Sequence, residues 1–262
     1  MLIRHHLVRH TDGTVEQAPA GYQRIKIAGM TVGDRSAERK SMRLYYLTEL
    51  QYAERILKEK RFKLSTVPEA NDPFELLGAN VGERRARQLY RMLYGHLSRS
   101  VGMLCTSKTW DSPVMWAHYG AKHNGVCLGF DVADAEACQV KYEPRRLNGL
   151  LEHIGNGELL NESQMRTILT TKFKDWAYER EWRIFAGLND RDPENGLYFL
   201  NFEPHFTLRE VILGHRCTGS VEQLAKHIER PRKSVELFHA RPAFQSFRIV
   251  RKKDAPSLSL MP

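Results

Sequence analysis

The order of short apolar runs and helical segments limits the fold of this chain more than any other sequence feature. Runs typical of strands, such as Val101–Ser107 and Gly125–Asp131, alternate irregularly with segments of helical apolar spacing, such as Glu49–Lys60. No repeat period occurs along the 262 residues. This order favours an α+β fold over a doubly wound parallel one. The sequence therefore predicts a mixed, largely antiparallel, curved sheet with flanking helices.

The regularity of the pattern divides the chain into three parts. Residues 1–42 lack clear periodicity, apart from a short strand predicted at Tyr22–Ile27, and are interpreted as an N-terminal arm. Residues 43–250 are interpreted as a single α+β domain, in which 145–175 is predicted to be mostly helical. Residues 251–262 are predicted to form a C-terminal tail.

The charge balance bears on partners. Forty basic residues stand against 31 acidic ones, which gives a net charge of +9. Such an excess favours contact with nucleotide phosphates, nucleic acid or anionic surfaces. A basic surface without a polyanionic partner is the simpler alternative.

The cysteines and the apolar runs bear on the compartment. None of the four cysteines belongs to a CxxC pair, and neither a disulfide framework nor a zinc pattern is present. Cys105 and Cys127 lie in apolar runs and are predicted to be buried. Met1–His10 lacks the features of a secretory signal, and no run approaches the roughly 20 apolar residues of a membrane span. We expect a cytoplasmic protein with no membrane contact.

The first motif is the segment from Pro68 to Glu75. Asn71 and Asp72 precede Pro73, a combination that makes a rigid turn in which Asn and Asp bond to their own backbone. The alternative is functional: Asp72 or Glu75, on a stiff loop, faces a ligand hydroxyl or a cation.

The second motif runs from Trp116 to Gly125. Trp116, His118 and Tyr119 combine aromatic faces with an imidazole, which suits stacking on a base or a nicotinamide. Alternatively, Trp116 and Tyr119 are core anchors on a short helix. A metal site that joins His118 to His123 and Cys127 matches no zinc spacing, and no metal site is predicted.

The third motif runs from Lys172 to Arg183. A strand that starts near Glu179 would place Glu179, Glu181 and Arg183 on one face of the sheet. Two carboxylates on one face raise each other's pKa unless Arg183 or a lysine compensates, and such a pair suits acid–base work. A salt-bridged sheet surface is the structural alternative.

Several common assignments find no support in the sequence. It contains no Walker A loop, GxGxxG, GxSxG or HExxH motif. A two-carboxylate metal nuclease would require a lysine where Glu179-Arg180-Glu181 has none.

Taken in order, the three motifs resemble a bacterial family known as domain of unknown function 2971. The matching elements are Ser65–Glu75, Trp116–Gly125 and Tyr178–Arg183, and the resemblance covers roughly residues 43–250. Some members of that family carry phage-resistance or abortive-infection names, which implies a role in phage defence.

A second resemblance concerns mechanism. Leu44–Thr48 and Phe62–Ser65 are similar to the opening of ADP-ribosyltransferase-type domains, which implies an enzyme that uses NAD. It implies catalytic roles for Glu181, Glu179 and His118. It implies NAD contacts for Tyr46, Ser65, Asn71, Asp72, Trp116, Tyr119 and Arg183. Tyr46 departs from the His or Arg usual at the early-strand position.

Two other classes of function remain open. One is a nucleic-acid-binding protein or nuclease that uses the arginine-rich Arg84–Arg99 segment and the basic Arg248–Lys253 segment. The other is a non-enzymatic interaction domain whose polar motifs stabilise the sheet.

Overall fold

A computed structural model describes residues 40–151 and 160–262 of the chain. It is a mixed α+β structure built on a large, largely antiparallel sheet, which confirms the predicted fold class. The strands are β1 (Ser41–Thr48), β2 (Arg61–Lys63), β3 (Ser65–Thr66), β4 (Val101–Ser107), β5 (Val126–Ala133), β6 (Cys138–Gln139), β7 (Lys141–Glu143), β8 (Thr171–Phe173), β9 (Glu181–Gly187), β10 (Phe199–Asn201), β11 (Phe206–Leu213), β12 (Val235–Pro242), β13 (Ile249–Arg251) and β14 (Ser257–Leu260).

The helices begin at local signals that the sequence carries. They are α1 (Leu50–Glu59), α2 (Arg84–Ser100), α3 (Pro113–His118), α4 (Glu162–Thr170) and α5 (Val221–Ala225). The Ser112 hydroxyl caps α3 with Pro113 in its first turn, and Asn161 forms a capping box with Gln164 at α4. In the described parts of the chain, no helix has the length and apolarity to cross a bilayer.

The main sheet has ten strands. Eight follow the order β13-β12-β11-β5-β1-β4-β9-β6, while β14 pairs with β12 and β3 pairs with β4. Among the described strands of this sheet, β11 and β12 form the only parallel pair. Two small ladders, β10 with β2 and β7 with β8, lie beside it.

Alternation along β1, β4 and β9 gives the sheet two different faces. Leu44, Leu104 and Ile184 share one face, where they pack with α1 and α5. The opposite face carries two separate apolar clusters, one that includes Met103 with α2 and α4, and one that includes Leu47 with α3. The candidate site lies between these two clusters.

Three predictions concern other parts of the chain: residues 145–175, the C-terminal tail and the N-terminal arm. The prediction that 145–175 is mostly helical was wrong for the described residues there, which form α4, β8 and a 3-10 helix over Lys174–Glu179. The positive φ of 76° at Gly149 and the β-branched pair Thr170–Thr171 disfavour a continuous helix. The predicted tail contains β14, which pairs with β12. The strand predicted at Tyr22–Ile27 lies outside the described residues.

Candidate functional site

The start of β9 brings two carboxylates of the third motif to one lysine. Glu179 ends the 3-10 helix, Arg180 adopts a left-handed φ of 45°, and the strand begins at Glu181, so that Glu179 lies outside it. The side chains of Glu179 and Glu181 still converge. Lys172 Nζ lies 2.6 Å from Glu179 Oε2 and 3.2 Å from Glu181 Oε2.

Arg183 joins this cluster to the first motif. Its side chain is 0% exposed, and its Nε donates to Glu181 Oε1 at 2.8 Å. Its Nη1 and Nη2 donate to the two carboxylate oxygens of Glu75 at 2.6 and 3.0 Å. We call Glu75, Lys172, Glu179, Glu181 and Arg183 the buried charge network.

The composition of the buried charge network constrains its energetics. Three carboxylates share two cations, and all five residues are buried. Charges out of water are tolerated when they are paired, and loss of one partner typically costs about 3–5 kcal/mol because it leaves an uncompensated charge. The network therefore couples the folding of the first motif to that of β9.

The two glutamates of the network differ in acidity. Burial opposes ionisation of Glu181, but the charge and hydrogen bonds of Arg183, together with Lys172, lower its pKa to about 2. Burial raises the pKa of Glu179 above its ordinary value, against the opposing effect of Lys172. Glu181 is therefore a permanent anion, whereas Glu179 takes up a proton more readily.

The second motif reaches the network through Tyr119. The Tyr119 hydroxyl donates to Glu179 Oε1, and Asn71 Nδ2 donates to the Tyr119 oxygen at 2.7 Å. Burial and the Glu179 carboxylate raise the pKa of Tyr119, so the phenol keeps its proton at neutral pH. Because Asn71 is exposed and Tyr119 half-buried, a polar chain leads from solvent to Glu179.

Aromatic rings border this polar chain. His118 is exposed at the end of α3, and its ring meets that of Tyr178 edge-on with centroids 5.8 Å apart. Trp176 lies 6.1 Å from Tyr178 between centroids, and Lys172 Nζ lies 4.8 Å from the Trp176 centroid. We call His118, Trp176 and Tyr178 the aromatic rim.

Cys105 lies on the same face of the sheet as Arg183. It stands opposite Arg183 on the interior strand β4, yet its side chain is exposed, so the prediction that it is buried was wrong. The prediction was correct for Cys127. The surrounding protein and the Glu181 carboxylate raise the pKa of the Cys105 thiol.

Asp72 is a buried carboxylate with one free oxygen. Its Oδ1 accepts from the Phe74 amide at 2.9 Å, which is the turn bond expected of this residue type. Its Oδ2 has no hydrogen-bond partner among the described residues. The turn interpretation thus explains the position of Oδ1 but not the burial of Oδ2.

The structure places three predicted site residues apart from the network. Tyr46 packs against Phe62 on the opposite face of the sheet, with ring centroids 5.1 Å apart. Trp116 is fully buried and donates its indole N–H to the Trp110 carbonyl, as a core anchor does. Ser65 lies in β3, beside Met103 of β4.

Sequence reasoning missed Lys172 as a site residue. The lysine that the sequence analysis required as a compensating charge was present in the third motif, seven positions before Glu179. Glu75 was recognised as a candidate, but nothing in its spacing connected it to Arg183. No group of three or more His, Cys, Asp or Glu side chains with metal-binding geometry occurs in the described ranges.

Fold and site together define an α+β protein with a buried charge network that Tyr119 and Asn71 connect to solvent. The model of a family described as "Protein of unknown function (DUF2971)" matches residues 115–184, which contain the second and third motifs. This match supports the resemblance to that family over those residues. No curated protein and no solved structure matches the chain.

Proposed function

We propose that the chain is an NAD-consuming, ADP-ribosyltransferase-like enzyme in which Glu179 acts on the ribose that carries nicotinamide. One observation carries the proposal. Glu179 shares its carboxylate with Tyr119, and Tyr119 is bonded to the exposed Asn71. Glu179 is buried, but it is the carboxylate of the network that the polar chain of Tyr119 and Asn71 connects to solvent.

The same geometry separates the roles of the two glutamates. Glu181 receives hydrogen bonds from Nε and Nη2 of Arg183 and from Lys172, and its pKa is about 2. Both of its oxygens are thus occupied by cations. The resemblance implies catalytic roles for both glutamates, whereas we propose that Glu179 is catalytic and Glu181 is a positioning residue.

The proposed reaction breaks the bond between the ribose C1′ atom and the nicotinamide nitrogen. Nicotinamide leaves with the electron pair of that bond, and positive charge develops on the ribose. A fixed carboxylate next to this charge stabilises the transition state. An acceptor nucleophile then bonds to C1′ and loses its proton, so that NAD and acceptor yield ADP-ribosyl acceptor, neutral nicotinamide and a proton.

The residues around Glu179 fit parts of this substrate. The aromatic rim offers flat surfaces for a nicotinamide ring, and Asn71 with Tyr119 offers polar groups for ribose hydroxyls. Tyr46 and Trp116 do not fit, because one lies on the far face of the sheet and the other is enclosed in a core. The proposal therefore leaves them out of the NAD site.

An NAD-consuming activity also suits the role in phage defence that the family resemblance implies. Depletion of NAD, or modification of a host component in the cytoplasm, would stop the growth of an infected cell.

The test is nicotinamide release from NAD by the purified protein. We expect release by the wild type and a loss of at least about a hundredfold in Glu179→Gln, since general acid–base and electrostatic groups contribute this much. Glu69→Gln is the matched control, because Glu69 is an exposed glutamate in an ion pair with Lys63. Melting curves establish that each variant is folded.

Two results would overturn the proposal. One is the absence of nicotinamide release together with the absence of any NAD-dependent shift in melting temperature. The other is unchanged release in a folded Glu179→Gln variant, which would remove Glu179 from the reaction.

Nucleic-acid binding by α2 is a second candidate function. Arg84, Arg87 and Arg91 are exposed, and their spacing places them on one face of this helix. Such binding would weaken steeply with added salt and would be insensitive to Glu179→Gln.

A further inference from the structure

The loop between β12 and β13 exposes two phenyl rings. The Ala243 amide donates to the Arg248 carbonyl at 2.9 Å and closes the loop. Phe244 is 89% exposed and Phe247 is 98% exposed. We call residues 243–248 the hairpin tip. Single exposed apolar residues are common on protein surfaces, but two almost fully exposed rings on one short loop indicate a binding surface.

The surroundings of the hairpin tip are basic. Residues 240–253 contain five Arg and Lys residues, of which Arg248 is paired with Asp111 and Arg251 with Glu236. Among the described residues, Arg241, Lys252 and Lys253 form no ion pair. The Arg241 guanidinium lies 4.1 Å from the centroid of the Phe244 ring, and Lys252 and Lys253 are exposed nearby in sequence. A partner for this surface must therefore combine negative charge with apolar or flat aromatic groups.

We propose that the hairpin tip binds single-stranded nucleic acid. Unpaired bases would stack on the rings of Phe244 and Phe247, and the phosphates would lie next to Arg241 and the two lysines. Stacking platforms flanked by basic residues bind single strands with little sequence preference.

The chemistry of the tip favours nucleic acid over an anionic bilayer. Gln245 and Ser246 separate the two phenylalanines. Insertion of the rings into lipid would carry these polar side chains, and the backbone between them, toward a medium without hydrogen-bond partners. A nucleic-acid strand leaves them in water, where they can bond to base edges or phosphates.

The position of the hairpin tip relates it to the candidate site. Arg248 Nε donates to Asp111 Oδ2 at 2.7 Å, and the Ile249 amide donates to the Asp111 carbonyl at 2.8 Å. Asp111 lies two residues before α3, whose six residues span about 9 Å and end at His118. A bound strand could therefore extend along α3 to Tyr119. Binding at the tip does not depend on the proposed function. A role for the bound nucleic acid as the acceptor of ADP-ribose rests on the proposed function.

The experiment measures binding of short, fluorescently labelled single-stranded DNA and RNA of mixed sequence by anisotropy. We expect the double variant Phe244→Ala/Phe247→Ala to bind at least about tenfold more weakly than the wild type, since each stacked base contributes this order of affinity. Tyr52→Ala is the matched control, because Tyr52 is a half-exposed aromatic residue on α1. Its affinity should equal that of the wild type.

A second pair of variants separates stacking from general hydrophobic contact. Phe244→Leu/Phe247→Leu keeps apolar side chains without flat faces and should bind weakly, whereas Phe244→Tyr/Phe247→Tyr should bind like the wild type. Equal binding by the leucine and tyrosine variants would overturn stacking. Unchanged binding in the alanine variant would show that another basic surface, and not the hairpin tip, binds the oligonucleotide. Binding to phosphatidylserine vesicles without binding to either oligonucleotide would make the tip a membrane contact instead.

These outcomes are independent of catalysis. Glu179→Gln should bind the oligonucleotides like the wild type, and the alanine variant should release nicotinamide from NAD at the wild-type rate when no nucleic acid is added. Failure of the binding proposal thus leaves the proposed reaction untouched, and the reverse also holds.

Discussion

Arg183 and Glu75 lie 108 positions apart in the chain and form a bidentate ion pair under the candidate site, with N–O distances of 2.6 and 3.0 Å. The pair holds the loop of the first motif against β9, an interior strand of the sheet. Asn71, which lies on the same loop, is thereby held next to Tyr119. A structural ion pair thus sets the geometry of the polar chain to Glu179.

Replacement of Arg183 by methionine should destabilise the protein strongly. It would leave Glu75 buried without a cation and Glu181 with Lys172 alone, a change that typically costs about 3–5 kcal/mol. Urea denaturation measures the difference in free energy of unfolding. Arg55→Met, which breaks an exposed pair with Glu59 on α1, should change it by less than about 1 kcal/mol. Equal effects of the two variants would contradict the role of the network.

Acid should remove the contribution of Glu181 to stability. Its pKa is about 2 in the folded protein against an ordinary 4.5, so folding favours the ionised form. This contribution is present above about pH 4.5 and is lost as the pH falls toward 2, with a total on the order of 3 kcal/mol. The measurement is the free energy of unfolding between pH 7 and pH 2.

The control for this pH series is Glu181→Gln. The variant should be less stable at pH 7 and should lose less stability with acid than the wild type, because it lacks the depressed carboxyl. Parallel curves for the two proteins would show that other groups govern acid unfolding. Glu179 acts in the opposite sense, since its raised pKa means that its ionisation opposes folding as the pH rises.

Removal of the Tyr119 hydroxyl should separate activity from stability. Tyr119→Phe keeps the ring but deletes the hydrogen bonds to Glu179 and from Asn71, at a cost of about 1–3 kcal/mol in stability. Asn71→Ala, at an exposed position, should alter the free energy of unfolding less. Under the proposed function, both variants should lower kcat/KM for nicotinamide release. Retention of full activity in both would exclude the polar chain from the reaction.

Cys105 should react slowly with alkylating reagents despite its exposure. The thiolate is the reactive form, and the raised pKa of Cys105 keeps that form scarce at neutral pH. Mass spectrometry of peptides after iodoacetamide treatment gives the rate at each cysteine. The rate at Cys105 should rise with pH and should be higher in Glu181→Gln, where the neighbouring negative charge is gone. A rate typical of a free cysteine at pH 7 would contradict this account of its surroundings.

The sequence was informative where the determinant is local. Val101–Ser107 was predicted with the bounds of β4, because an apolar run after an amphipathic helix has few alternatives. The start of α3 is likewise local, since Ser112 caps it and Pro113 occupies its first turn. In the third motif, the pattern placed Glu181 and Arg183 correctly on one face of a strand.

The rest of the candidate site depends on backbone conformation and on contacts between distant residues, which the spacing of residues along the sequence does not reveal. The left-handed backbone of Arg180 places Glu179 outside the strand, and a residue of this type gives no sign of such a conformation. The partner of Arg183 comes from a loop more than a hundred positions earlier. The exposure of Cys105 arises because two apolar clusters leave the middle of the sheet uncovered, which no single segment reveals.

Under the proposed function, the surplus of one carboxylate in the network would affect product release. Three acidic groups against two cations leave a site that is electrically satisfied by a proton or by a positively charged guest. NAD carries its positive charge on the nicotinamide ring, and free nicotinamide carries none. A site of this kind would attract the positively charged nicotinamide ring of NAD. It would bind the neutral nicotinamide less tightly once the glycosidic bond breaks, so that the loss of charge in the reaction itself favours product release.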